Sequence, residues 1–234
     1  MKKYYRILIY PIIFMGIILM FSFGCKKSDD KTTDPTPTNT VTDVDGNVYH
    51  YVTIGTQVWM VENLKTIHYR NGNPIPNVTD NNIWQNLTTD AYCTYDNANN
   101  APTYGNLYNW YAVNDSRKIA PSGWHVPTDA EWSTLSNYLG GSMTAGGKLK
   151  EAGTTHWNTP NTGATNDYGF TALPGGNHVY SFGGIGNYGE YWSSTTNDAY
   201  TAFAYQMNWS DKELHRDTNG HDYMAGFSVR CIKD

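Results

Sequence analysis

Chemistry in this chain would have to come from a few scattered side chains. Trp192 lies beside Asn187, Glu190 and Ser193, and Trp209 beside Asn208, Ser210 and Asp211. An indole flanked by amides and carboxylates can stack on and hydrogen-bond a sugar. Asn187, Glu190, Trp192, Asn208, Trp209 and Asp211 are therefore the candidate ligand-binding residues, with burial of either indole in a core as the competing reading. His215 and His221 sit near Glu213, Asp217 and Asp222, but their spacing matches no zinc pattern, and a solvated charged loop is the plainer account. The run Gly184-Ile185-Gly186-Asn187-Tyr188-Gly189 fits G-x-G-x-x-G, yet it leads into Glu190-Tyr191-Trp192 rather than an amphipathic helix, so it does not read as a dinucleotide site. Asp43-Val44-Asp45-Gly46-Asn47 begins like a calcium loop but lacks a ligand before the glycine and the closing glutamate; it reads as a hairpin turn. No H-E-x-x-H, C-x-x-C, G-x-S-x-G or Walker motif occurs. The expectation is no catalytic residue, no metal and no cofactor.

The first of the three cysteines has a clear context. Lys2, Lys3 and Arg6 precede an uncharged apolar run from Ile7 to Phe23, which ends at Gly24-Cys25. That run is shorter than the ~20 residues a membrane span needs and reads as a secretory signal over residues 1–24. Gly24-Cys25 resembles the bacterial lipobox, although Ser22 departs from its aliphatic position, and the resemblance implies a lipid on Cys25. A short N-terminal anchor helix is the alternative. Residues 25–40 hold Lys, Asp, Thr and Pro but no large apolar residue, so they read as a tether. Their opening, Cys25-Lys26-Lys27-Ser28-Asp29-Asp30, resembles the acidic export signal of surface lipoproteins of the Bacteroidetes. The implied location is the outer membrane or cell surface, with a plain spacer on a periplasmic membrane face as the alternative.

The remaining chain must supply the elements that position the candidates. Charged residues are only 16% and aromatics 15%, with 8 Trp and 19 Tyr, so a core exists and disorder is excluded. A net charge of −5, carried wholly by the part beyond the basic N-terminus, argues against a nucleic-acid partner. No second linker or repeat breaks residues 41–234, which read as one domain. Asp45-Gly46-Asn47 predicts a hairpin turn into a strand over 47–54, followed by a strand over 57–61. Thr128 with Glu131 forms a capping box for a helix over 129–139, with Trp132, Leu135 and Leu139 on one face and Gly140 as its stop. A second helix is expected over 107–114 and a single turn over 148–152. Strands are expected over 168–172, 190–194, 201–208 and 226–232. Trp59, Trp110, Trp124 and Trp132 fall inside these patterns and are assigned to the core. Two main helices among short antiparallel strands and long Gly/Asn-rich loops read as α+β.

Several blocks carry a family resemblance: Gln57-Val58-Trp59-Met60-Val61-Glu62-Asn63-Leu64, Tyr104-Gly105-Asn106-Leu107-Tyr108-Asn109-Trp110, Pro121-Ser122-Gly123-Trp124-His125-Val126-Pro127-Thr128, Gly169-Phe170-Thr171-Ala172-Leu173-Pro174-Gly175-Gly176, Tyr191-Trp192-Ser193-Ser194 and Gly226-Phe227-Ser228-Val229-Arg230-Cys231. On these the chain is identified as a member of the Fibrobacter succinogenes major paralogous domain family, a resemblance that implies no biochemical activity. Pro127-Thr128 with Ala130-Glu131-Trp132, and Gly226-Phe227-Ser228-Val229-Arg230, are more distantly similar to the formylglycine-generating enzyme family. That similarity implies a C-type lectin-like fold in which the last strand pairs beside the first and residues 153–225 form the variable face. The copper-binding cysteines of that family have no counterpart between Asp198 and Ala225, so its oxidase chemistry is not implied.

Cys93 and Cys231 remain. Two thiols in an exported domain permit one pairing, and the lectin-like resemblance implies a bond to the terminal strand; two buried free thiols are the alternative. The expected function is a surface-tethered, non-catalytic binding module, held to the membrane by the lipid and directed at a glycan or another surface protein. An enzyme with an unrecognised site on the loop face, or a structural envelope component, are the alternatives.

Overall fold

The structure, a computed structural model, describes residues 39–97 and 99–234. The expected signal segment, the lipid site Cys25 and the tether up to residue 38 lie outside the described residues. The chain opens on the expected hairpin, β1 (Thr40–Thr42) and β2 (Val48–Ile54). Gly46 turns it with φ +82°, and Asp43 Oδ1 accepts bonds from the backbone N–H groups of Asp45 and Asn47, 2.9 Å each. These bonds are why the aspartates close a turn and present no calcium loop. β3 (Gln57–Met60) follows, then helix α1 (Asn81–Trp84), β4 (Tyr92–Cys93), α2 (Ala101–Tyr104), β5 (Leu107–Tyr108), α3 (Trp110–Val113) and β6 (Trp124–His125). Helices α4 (Asp129–Tyr138) and α5 (Ser142–Leu149) precede a run of strands: β7 (Gly175–His178), β8 (Phe182–Ile185), β9 (Tyr188–Thr196), β10 (Thr201–Asn208), β11 (Leu214–Arg216), β12 (His221–Asp222) and β13 (Ile232–Lys233).

The α+β, C-type lectin-like expectation is overturned. The described residues are mostly β, arranged in two curled sheets and a separate β4–β5 pair, with five short α-helices. One sheet runs β1-β2-β3-β13-β6; the other runs β11-β10-β9-β7-β8, with β12 also on β10. The terminal strand pairs with β3 through Ile232 and Trp59, not beside the first strand. The helix at 129–138 has its capping box, with the Thr128 and Glu131 side chains each bonding the other's backbone. The expected helix over 107–114 does not exist as such. Leu107 and Tyr108 pair with Cys93 and Tyr92, and Asn109 then caps a single turn by accepting from the Ala112 N–H. The single turn expected over 148–152 is in fact the end of α5. The Gly146-Gly147 pair that concealed this helix lets it pack: a Cβ at Gly146 would meet the Glu213 carbonyl oxygen at 2.1 Å, and one at Gly147 that of Gly163 at 2.3 Å. The strand expected over 168–172 reduces to a single bridge, Lys150 to Ala172, and that over 226–232 to isolated bridges before β13.

Strand β9 explains where the core lies. Successive residues point to opposite faces: Tyr191 packs with Trp59, Trp132 and Phe170, whereas Trp192 packs with Trp110, Trp124 and Phe227. Both faces are therefore buried. A third cluster gathers Trp84, Ala91, Cys93 and Leu107. Trp59, Trp110, Trp124 and Trp132 are all core residues, as their patterns required.

The expected disulfide is also corrected. Cys93 and Cys231 are both buried and free, and they belong to different hydrophobic clusters, the third and the first. They pack as small hydrophobes, and burial pushes both thiols' pKa up. Because only the thiolate attacks, a soluble alkylating reagent is expected to leave both unmodified in the native protein and to label both in denaturant. Mass spectrometry of the two samples checks this; rapid native labelling, or no labelling after unfolding without reductant, would contradict the buried-thiol account.

Candidate functional site

The six candidate ligand residues do not form one surface. Trp192 is fully buried, its Nε1–H donates to the Tyr108 carbonyl at 2.8 Å and its ring lies 4.6 Å from that of Phe227. No face of this indole is left for a ligand. Trp209 is half-buried against the core that holds Trp132. Asn187, Asn208, Trp209 and Asp211 gather at one end of the β9–β10 pair, where Asn208 opposes Tyr188, but their polar groups are engaged in loop closure. Asn187 Oδ1 accepts from Asn158 Nδ2 at 2.8 Å, Asn208 Oδ1 from the Ser210 N–H at 2.8 Å, and Asp211 Oδ1 from the Glu213 N–H at 2.8 Å. The G-x-G-x-x-G run is the β8–β9 turn, with Gly184 and Gly186 at φ +76° and +79°.

Glu190 has a different environment. It opposes Gln206 on β10, and Gln206 opposes His215 on β11, which makes a row of three polar residues across three strands. Beside this row is a cavity of about 250 Å³ lined by Glu190, Ala204, Gln206, His215, Asp217 and His221 among others. His221 Nε2 is 3.0 Å from an Asp217 oxygen, and His215 Nε2 is 3.1 Å from Asp211. Arg216, on the same strand as His215, is taken by Asp129 at 2.6 Å. Burial raises the Glu190 carboxyl pKa, with the amides of Gln206 and Asn177 opposing it. His215, Asp217 and His221, which the sequence places in a charged loop, thus wall a recess. Among the described residues no group of three or more His, Cys, Asp or Glu is arranged to hold a metal ion.

A second recess is wide and open, about 580 Å³, and is lined by Gln85, Tyr111, Tyr180, Tyr200, Asp222 and Tyr223 among others. The Tyr223 ring stacks on Trp110 with centroids 4.4 Å apart and planes at 17°, and Tyr111 meets it edge-on at 5.6 Å. Tyr223 Oη donates to the Asp198 carbonyl at 2.9 Å, and Asp198 Oδ1 accepts from the backbone N–H groups of Tyr200 and Thr201. A fixed aromatic floor is flanked by Tyr180 and Tyr200, which are 66% and 78% exposed. These tyrosines come from four separate chain segments, so no spacing in the sequence signals them.

A third recess, about 280 Å³, lies between Arg70, Trp124, His125 and Asp234. The charged groups named there are occupied: Arg70 donates to the carbonyls of Ala120, Pro121 and Trp124, and His125 sits between Asp234 and Glu131.

The fold and these recesses define a mostly β domain with three aromatic-rich cores and an open tyrosine groove. The chain belongs to the Fibrobacter succinogenes major domain family, whose model matches residues 52–233. No curated protein and no solved structure matches it.

Proposed function

We propose that the domain is a non-catalytic carbohydrate-binding module, displayed at the cell surface on a lipid attached to Cys25, and that its sugar site is the tyrosine groove. One observation carries the reading: Tyr180 and Tyr200 project 66% and 78% exposed around a stacked Trp110–Tyr223 floor. Grouped around one recess, these exposed rings form the kind of patch that marks a binding surface, and their faces suit the C–H faces of a pyranose ring while Gln85 and Asp222 offer hydrogen bonds. The groove is open along its length, which suits a polysaccharide chain over a small molecule enclosed on all sides. Its one lining carboxylate, Asp222, and the net charge of −5 turn away anionic polymers. The signal-like N-terminus and the Lys/Asp/Thr-rich segment after Cys25 support display on the membrane exterior.

Tyr200→Ala and Tyr180→Ala are the test. Both residues are exposed, so thermal unfolding should shift little, with stability changes within about 0.5 kcal/mol. Retardation in native gels containing soluble neutral polysaccharides should weaken by about tenfold, the loss of roughly one stacking contact. Unaltered retardation of both variants, or no retardation of the wild type by any polysaccharide while a surface protein is captured through the same tyrosines, would overturn the carbohydrate reading.

A further inference from the structure

The cavity beside β9 carries a separate inference. Glu190 is only 5% exposed; its Oε1 accepts from Gln206 Nε2 at 2.5 Å, whereas Oε2 meets no donor in hydrogen-bond geometry among the described residues, the Asn177 amide favouring the carboxylate without completing such a bond. An unpaired buried carboxylate oxygen is costly, and native structures seldom keep one without a reason. Of the buried side-chain atoms left without a partner, this one alone belongs to a carboxyl, and its residue lines a cavity.

The charge around the cavity selects the ligand. Glu190 and Asp217 line it, Asp211 and Glu213 pair with His215 at its edge, and the guanidinium of Arg216 is already neutralised by Asp129. Two lining carboxylates against one guanidinium already paired outside leave the recess negative. A group that completes it must donate hydrogen bonds and bring positive charge. At about 250 Å³ the space is below the ~300–1,000 Å³ usual for drug-sized ligands, so the group is small or is the tip of something longer. The arrangement among the described residues offers no metal-ligand set, whereas an alkylammonium supplies three compact donors and one charge.

We propose that this cavity binds a primary ammonium group, with Glu190 as its counter-ion and the Asp217–His221 pair as its wall. The source is the terminus of a lysine side chain or the amine of an amino sugar; the recognition chemistry is the same. The proton and the ammonium compete for Glu190, so binding weakens as pH falls through the carboxyl's titration. The other groups facing Glu190 are Gln206 on β10, Asn177 on β7, His215 and Arg216 on β11, and Asp217 and His221 beyond it. Of these, the His221 cation favours the carboxylate and the Asp217 charge opposes it. Any positive charge on the flanking histidines would oppose an ammonium in the same direction, so pH dependence alone does not isolate Glu190.

Carboxyl ¹³C resonances of the intact mature protein would be followed while Nα-acetyl-lysine methylamide or glucosamine is added, with glucose as the neutral control. An ammonium at the site should lower the pH at which Glu190 titrates, and glucose should not. Calorimetry of Glu190→Gln should then show affinity for the same amine weakened by about tenfold or more, as expected for losing a charge-assisted bond. Response to the lysine derivative alone identifies a peptide source, to glucosamine alone an amino sugar, and to both the free ammonium chemistry. If neither amine at millimolar concentration moves the Glu190 titration, or if glucose moves it equally, the proposal fails and Glu190 is a neutral acid of the interior. The wild-type titration decides even if Glu190→Gln does not fold. Because the tyrosine groove has a different lining, failure here leaves the carbohydrate reading intact.

Discussion

Replacing Arg230 with alanine is expected to destabilise the domain by about 3–5 kcal/mol, the range reached when a buried hydrogen-bonded network loses its centre. Arg230 is fully buried just before the terminal strand. Its Nε and Nη2 donate to Asn63 Oδ1 at 3.0 and 2.6 Å, and its Nη1 donates to the carbonyls of Met60 and Phe170. The guanidinium also lies 4.5 Å from the Phe170 ring. Burial pulls its pKa down, but an arginine keeps its charge regardless. Asn63 in turn donates to the Tyr104 carbonyl and to Ser228 Oγ, so one side chain links the end of β3, the Phe170 loop and the last segment. Alanine would leave a cavity and strand the Asn63 and Phe170 oxygens without donors. Relief of the buried charge offsets only part of that. Lysine in place of Arg230 should recover little, because a point donor cannot span the fork. Urea unfolding of wild type and variants measures the difference; a loss below about 1 kcal/mol would mean that the network is not a structural centre.

The elements that the sequence made legible are those whose signals are local. The Thr128–Glu131 capping box, the Asp45-Gly46 turn and the hairpin strand after it each depend on residues within a few positions, and each stands where expected. What escaped depends on distant partners. The Gly146-Gly147 pair reads as a helix breaker until the backbones of Glu213 and Gly163 are packed against it. Leu107 and Tyr108 fit a helical aromatic stripe until Tyr92 and Cys93 pair with them. Glycine-rich β7 and β8 have few side chains to show any pattern. The same reason governs the site. Glu190 and Ser193 beside Trp192 suit either a sugar-facing or a buried indole in the sequence, but β9 is buried on both faces, so its polar residues mark interior hydrogen bonds and a cavity rather than a solvent face. Of the six candidates only Glu190 retains an unmet hydrogen-bonding demand.

The second large effect is expected at Lys150, the C-cap of α5. Its side chain is fully buried, and Nζ donates to the carbonyls of Thr162, Asn208 and Asp211 at 3.1, 2.8 and 2.7 Å. Three carbonyls answer the three N–H bonds of an ammonium and hold together the loop after α5 and the turn that follows β10. Lys150→Met keeps much of the volume but strands three acceptors, each costing about 1 kcal/mol or more, so a loss of roughly 2–4 kcal/mol is expected. The pH dependence has a definite sign. Burial pulls the Lys150 pKa down to about 8, with the Asp211 carboxylate opposing, while the unfolded chain keeps a lysine value of about 10.4. Below about pH 8 both states carry the proton and the full desolvation cost of the ammonium is present. Between about 8 and 10.4 the unfolded state binds more protons than the folded one, and stability contributed by this group rises with pH. The stability of wild type minus that of Lys150→Met should therefore grow across that window and be level below it. Paired urea melts at pH 7, 8, 9 and 10 measure this difference, in which every other titrating group cancels to first order. A difference that stays flat from pH 7 to 10 would mean that the three carbonyls hold the proton on Lys150 as firmly as water does, and that its burial carries no electrostatic cost.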